Sequence, residues 1–171
     1  MLFKNLLLAA SALAAPVACG DSSNESKHPT YSPNIIMPGK GAFGMKALQI
    51  RGNDVVYGLT QGFSYFKIED VGNAMANALV DGQGTHQLVA NTETGKIDVK
   101  SDPAPPLEGN SGGWAFKGDG RVKELSSYGT NEFYSCNSET DPLHGGPVVY
   151  VFNGKYACED PVKFTIGATL D

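Results

Sequence analysis

Short β-prone runs, broken every few residues by glycine-bearing turn pairs, constrain this chain more than any other feature. The runs are Lys46–Arg51, Asp54–Leu59, Phe63–Ile68, Ala76–Val80, Thr85–Ala90, Lys96–Lys100, Gly113–Lys117, Arg121–Leu125, Glu132–Cys136, Val148–Phe152, Lys155–Cys158 and Val162–Ile166. Between them stand Gly52-Asn53, Asp81-Gly82, Thr94-Gly95, Asp119-Gly120 and Asn153-Gly154. Asp-Gly and Asn-Gly suit tight hairpins because these residue types tolerate the positive φ such turns require. In Lys96-Ile97-Asp98-Val99-Lys100 the two apolar residues alternate with charged ones and face one way in a strand. This spacing predicts an all-β fold, a single compact sandwich or barrel of about ten short antiparallel strands. One stretch is ambiguous: Val71, Ala74, Met75, Ala78 and Leu79 have helical spacing, so residues 70–79 hold at most one short helix, or a loop. Ser101-Asp102-Pro103-Ala104-Pro105-Pro106 cannot join a central strand and reads as a connection.

Composition agrees with one turn-rich folded unit. Of 171 residues, 21 are Gly, 10 are Pro and 41% are hydrophobic, enough to bury a core. The net charge is −5, from 13 Lys+Arg against 18 Asp+Glu, with Arg51 and Arg121 the only arginines. A chain without a basic surface cannot displace the counterions of a nucleic acid, so nucleic acid is not an expected partner.

The first residues carry the parts of a secretory signal: Lys4, the apolar run Leu6 to Leu13, and the small residues Ala12 and Ala14 flanking Leu13. A run this short does not span a bilayer. Ala14, Ala15 and Ala18 each offer a cleavage point. Ala18-Cys19 also resembles a lipoprotein site, but Pro16 occupies a position that normally takes a Leu-like residue. The expected organisation is a signal peptide over residues 1–18, a flexible polar arm over 19–40 with Pro29, Pro33 and Pro38, and a single β-domain over 41–171. The arm holds a glycosylation sequon at Asn24. The final residues are too few and too polar for a GPI signal, so no membrane partner is expected after cleavage.

Cys136 and Cys158 fall at the ends of two neighbouring predicted strands, in a chain addressed to an oxidising compartment, and are expected to form a disulfide. Cys19 is left over: removed with the signal, lipidated, or free in the arm.

Three chemical-looking patterns fail on context. Gly39-Lys40-Gly41-Ala42-Phe43-Gly44 spells a dinucleotide fingerprint, but prolines precede it and a strand follows where a helix must bind the pyrophosphate. Gly109-Asn110-Ser111-Gly112-Gly113 has the form of a serine-protease nucleophile loop, with His86 and Asp98 or Asp102 in the right order. His86 lacks the small-residue and Cys surroundings of that base, and the domain is too short for two six-stranded barrels. His28, His86 and His144 are scattered, with no paired metal-ligand spacing. No acidic pair stands out for glycoside hydrolysis. The expectation is a protein with no catalytic residues, no metal and no cofactor.

Trp114, the only tryptophan, is followed by Phe116 at strand spacing. The ring is either a core anchor with its indole N–H satisfied or an exposed platform for a pyranose face. The first fits better, and the second makes Trp114 the candidate carbohydrate contact. Tyr134, Tyr150 and Tyr156 divide the same way, and their faces cannot be sorted from sequence.

Gly113-Trp114-Ala115-Phe116, a glycine turn and apolar strand to Leu125, Phe133-Tyr134-Ser135-Cys136, and Val149-Tyr150-Val151-Phe152 through Lys155-Tyr156-Ala157-Cys158 form a recognisable order. It resembles the phialide cell-wall protein (PhiA-like) family and the C-terminal domain of Pir-type cell-wall mannoproteins of fungi. The resemblance covers roughly residues 112–160 and extends more weakly to Phe43–Ile68. Only Trp114, Cys136 and Cys158 match features of the family; Ala115 stands where relatives often have Ser, and the Gln-containing repeats that esterify Pir proteins to glucan are missing. The resemblance implies a secreted, noncatalytic, wall-associated or extracellular structural protein with cell-wall polysaccharide (glucan or chitin) as partner. The alternative is a secreted carbohydrate-binding or host-interacting module.

Overall fold

A seven-membered ring of strands organises the computed structural model, which describes residues 28–101, 113–136 and 146–171. The ring contains β1 (Thr30–Ile36), β2 (Met45–Arg51), β3 (Asp54–Tyr57), β4 (Ser64–Gly72), β5 (Met75–Val80), β6 (Gly84–Ala90) and β7 (Ile97–Lys100). They pair in the order β1-β2-β3-β7-β6-β5-β4, and β4 returns to β1 through Thr30↔Glu69 and Tyr31↔Ile68, closing an antiparallel barrel. Closure removes the open edges that a sheet of this size would otherwise expose. Five more strands follow: β8 (Ala115–Lys117), β9 (Val122–Ser126), β10 (Phe133–Cys136), β11 (Val149–Val151) and β12 (Pro161–Leu170). The β-rich expectation therefore holds, with twelve strands among the described residues in place of about ten.

The ten-residue β12 joins the added strands to the barrel. Its second half pairs with β1 from Ile36↔Thr165 to Tyr31↔Leu170, and its first half with β10 from Phe133↔Phe164 to Cys136↔Pro161. Strand β9 lies on its other flank, from Gly167↔Glu124 to Thr169↔Val122, and carries β8. Single bridges, Val56↔Val148 and Lys96↔Tyr150, lay β11 back against the barrel. Gly95 makes that approach feasible. Its φ is +74°, and a side chain there would stand 2.3 Å from the Val151 carbonyl oxygen.

Three expectations need correction. The arm does not extend to residue 40: Thr30–Ile36 is a barrel strand with alternating burial. Pro33 lies inside it at a gap in the ladder, because β4 pairs with Thr30 and Tyr31, β2 pairs from Asn34 onward, and neither reaches Ser32 or Pro33. That gap tolerates a residue without an N–H. Residues 70–79 form a hairpin and no helix, with Gly72 opposite Met75 and both Asn73 (φ 53) and Ala74 (φ 61) in the left-handed region. Finally, Lys155–Cys158 is an irregular segment and no strand. The remaining short element is a 3-10 turn at Gly41–Gly44. Of the connection at 101–106, only Ser101 is among the described residues.

The barrel is filled with side chains. Ile35, Val55, Ile68, Ala78, Leu88, Ile97 and Val99 share one buried cluster with Trp114, Leu125, Phe133, Phe164 and Ile166 from the added strands. Each large apolar group contributes about 1.5–3 kcal/mol by leaving water.

Candidate functional site

Alternation along β10 sends neighbouring side chains to opposite faces. Phe133 enters the common core, and the Ser135 hydroxyl meets the Tyr57 hydroxyl at 2.7 Å in the interior. Tyr134 faces the other way and is nevertheless fully buried. Tyr150 sits directly across the ladder and stacks on it at 5.3 Å, and Tyr156 meets it edge-on at 5.1 Å. Phe152 packs on Tyr156 at 4.8 Å. The irregular segment after β11 is thus a cover folded over the outer face of the sheet. Its backbone is anchored where Ala157 N–H donates to the Tyr134 hydroxyl at 3.0 Å.

The expected disulfide fastens this cover. Cys136 and Cys158 are bonded with 5.9 Å between their Cα atoms, linking the end of β10 to the cover. Cys158 lies in the irregular segment, not at a strand end. On the rim, Tyr156 donates its hydroxyl proton to Glu132, and Lys163 pairs with Glu132 at 3.5 Å. The Lys163 ammonium also lies 4.4 Å from the centre of the Tyr156 ring. Its pKa is raised, first by the hydrogen bond to Tyr156 and further by the Glu132 charge. Burial pushes the Tyr134 hydroxyl up, and it does the same to Tyr57 against the lowering hydrogen bond from Ser135.

Trp114 is a core residue and not a surface platform. It is 3% exposed, donates its indole N–H to the Leu88 carbonyl at 2.9 Å, and lies nearly parallel to Phe133 at 6.5 Å. Its backbone N–H holds the Ala74 carbonyl at 2.9 Å, tying it to the turn between β4 and β5. A ring with its polar atom satisfied internally and its faces packed has nothing left to offer a sugar. Asn24, Cys19, Ser111, Asp102 and His144 lie outside the described residues.

Of the protease-like arrangement, His86 and Asp98 are among the described residues, and they do not come together. His86 has the parity of inward-facing Leu88 and Ala90, whereas Asp98 pairs with Val89 and faces the opposite side of the sheet. Asp98 is instead bound to Lys96 at 3.1 Å, and the same ammonium meets Asp54 at 2.6 Å. The hydrogen bond that Lys96 donates to Asp54 is the main cause of its raised pKa. No group of three potential metal ligands occurs among the described residues.

A second aromatic pair lies on the barrel's own outer surface and carries no sequence motif. Phe63 and Tyr65 meet edge-on at 5.0 Å, with Tyr65 56% exposed. Its signal is parity alone: Phe66 and Ile68 point inward on β4, so Tyr65 and Lys67 must point outward. No family model, no curated protein and no solved structure matches the chain.

Proposed function

We propose that this chain is a secreted, noncatalytic protein of the fungal cell wall or extracellular space, whose β-domain serves as a structural unit. The observation that carries this reading is the Cys136–Cys158 bond closing an aromatic cover over the outer sheet, a device suited to an oxidising compartment. The signal-like segment at residues 1–18 supports the same destination. The disposition of the carboxylates supports a noncatalytic role. Asp54 and Asp98 share Lys96, Glu132 is held by Tyr156 and Lys163, Glu69 by Asn77, and Asp171 by Lys67 and Ser32. Carboxylates engaged in this way brace the surface instead of facing a substrate. The likeness of residues 112–160 to phialide-type wall proteins supplies the wall itself as the proposed location.

Sequential extraction of walls from cells expressing the tagged protein tests this reading, using hot detergent, reductant, mild alkali and then glucanase. Retention in any wall fraction, with the leader removed and the two cysteines oxidised by mass spectrometry, is the expected result. Recovery only from the medium removes the wall association. Recovery only from inside cells, with the leader intact and both thiols free, removes the whole proposal.

A further inference from the structure

The Asn153-Gly154 pair reads as a hairpin turn in the sequence but closes no hairpin. It stands where β11 ends and the irregular cover begins, and it is the only Asn-Gly pair in the chain. Its asparagine works as a latch. Nδ2 donates to both the Thr92 and the Glu93 carbonyls at 3.0 Å, fastening the start of the cover to the turn between β6 and β7. The same turn holds the end of β11, because Val151 N–H donates to the Gly95 carbonyl at 2.8 Å. Packing is close here: a side chain on Gly95 would stand 3.7 Å from Asn153 Cγ.

The latch is held from one side only. Asn153 Oδ1 is buried without a hydrogen-bond partner, and that desolvation cost offsets part of what the two donated bonds contribute. Thr92 and Glu93 are exposed, so water replaces the lost bonds when the side chain swings out, and opening is a local event. Gly154 is exposed as well, and its N–H makes no hydrogen bond among the described residues. Open space lies where its side chain would project, and the missing Cβ lets its nitrogen approach the neighbouring amide.

We infer that Asn153 is a modification site, where spontaneous deamidation turns the latch into a repulsive contact and frees β11 from the barrel turn. Once the side chain leaves Thr92 and Glu93, hydroxide removes the Gly154 amide proton and that nitrogen attacks Asn153 Cγ. The new N–Cγ bond forms as the Cγ–Nδ2 bond breaks, and ammonia leaves with a proton taken from solvent. Water then opens the cyclic imide at either carbonyl, giving aspartate or isoaspartate at position 153. One water is consumed and one ammonia released, with nothing oxidised or reduced. A carboxylate has no proton to donate, so it turns an anionic oxygen toward two carbonyl oxygens that had accepted N–H bonds. The change is irreversible and adds a negative charge, which makes it a clock on the age of the folded chain. The inference goes beyond the structural role proposed above and depends on neither the leader nor wall attachment.

The test uses the purified, disulfide-bonded full chain, kept warm at mildly alkaline pH and sampled over weeks. Peptide mapping by mass spectrometry distinguishes asparagine, aspartate and isoaspartate. Position 153 is expected to convert before any other described asparagine, and about tenfold more slowly than in the reduced, urea-unfolded chain, because the latch must first open. Amide hydrogen exchange reads the consequence. In the deamidated fraction, separated by anion exchange, and in Asn153→Asp, the Val151 amide should exchange at least about tenfold faster than in unmodified protein, while the Ala78 amide in β5 keeps its protection. The aged wild-type fraction is modified after folding, so this measurement stands even where Asn153→Asp fails to fold. No conversion at position 153 long after the unfolded chain has converted, earlier conversion at another described asparagine, or unchanged Val151 exchange in the deamidated fraction each overturns the inference. None of these outcomes bears on where the protein is secreted.

Discussion

Tyr57 on β3 and Ser135 on β10 share a buried hydroxyl–hydroxyl hydrogen bond of 2.7 Å across 78 residues of chain. It is a polar tie between the barrel and the strands added to it, placed where water cannot substitute for a lost partner. Tyr57→Phe and Ser135→Ala should each cost about 1–2 kcal/mol, because each strands the other hydroxyl. The double variant should cost less than the sum by about 1 kcal/mol. Urea unfolding of the four proteins measures this coupling, and strictly additive costs would show that the two hydroxyls act independently.

Trp114 closes on two backbone carbonyls at once, Leu88 through its indole and Ala74 through its main chain. Trp114→Ala should cost about 3–5 kcal/mol, from lost burial and the cavity left behind together, and Trp114→Phe less. The wild-type emission should be blue-shifted, poorly quenched by acrylamide and indifferent to glycans. A red-shifted, readily quenched tryptophan would contradict its placement in the core.

Breaking the Cys136–Cys158 link releases a 22-residue separation and should cost about 3 kcal/mol by the loop-entropy estimate. The effect should be local before it is global, since the bond fastens the cover over Tyr134. In the Cys136→Ser, Cys158→Ser variant, near-ultraviolet circular dichroism of the tyrosines should weaken while the far-ultraviolet strand signal persists. Equal loss of both signals would mean that the cover and the barrel unfold as one.

The raised groups fix the sign of the alkaline response. Tyr57 and Tyr134 bind their protons more tightly folded than unfolded because burial disfavours the phenolate, and Lys96 does so chiefly through Asp54. Their stabilising contributions are complete below the ordinary values of 10.0 for Tyr and 10.5 for Lys. They are lost as pH rises through the folded values. Stability should therefore decline above about pH 10, with Tyr57→Phe showing a shallower decline than wild type. Denaturant midpoints across that range decide it, and a flat profile up to about pH 12 would be inconsistent with burial of these hydroxyls.

Much of the barrel is legible in local chemistry. The Gly52-Asn53 and Asp81-Gly82 turns fall between the strand pairs they imply, and Ile97 and Val99 face inward as their alternation requires. Strand β1 is hidden because Pro33 reads as a breaker, and only the staggered pairing of β4 and β2 makes room for it. The Asn73-Ala74 turn is hidden because no glycine marks its left-handed pair. Tyr134 could not be sorted because its cover arrives about twenty residues later in the chain, beyond the reach of any periodicity. The outward Tyr65 is legible in strand parity alone, since Phe66 and Ile68 point inward on the same strand.

The long pairing of β1 with β12 also sets an order of events during synthesis. A growing chain can form the β4–β5–β6 hairpins from neighbouring residues, yet Tyr31 must wait for Leu170 before its ladder is complete. Until then β1 holds only the partners offered by β2 and β4. Such late, distant closure slows folding, because the entropy of bringing β1 and β12 together must be met before their ladder contributes.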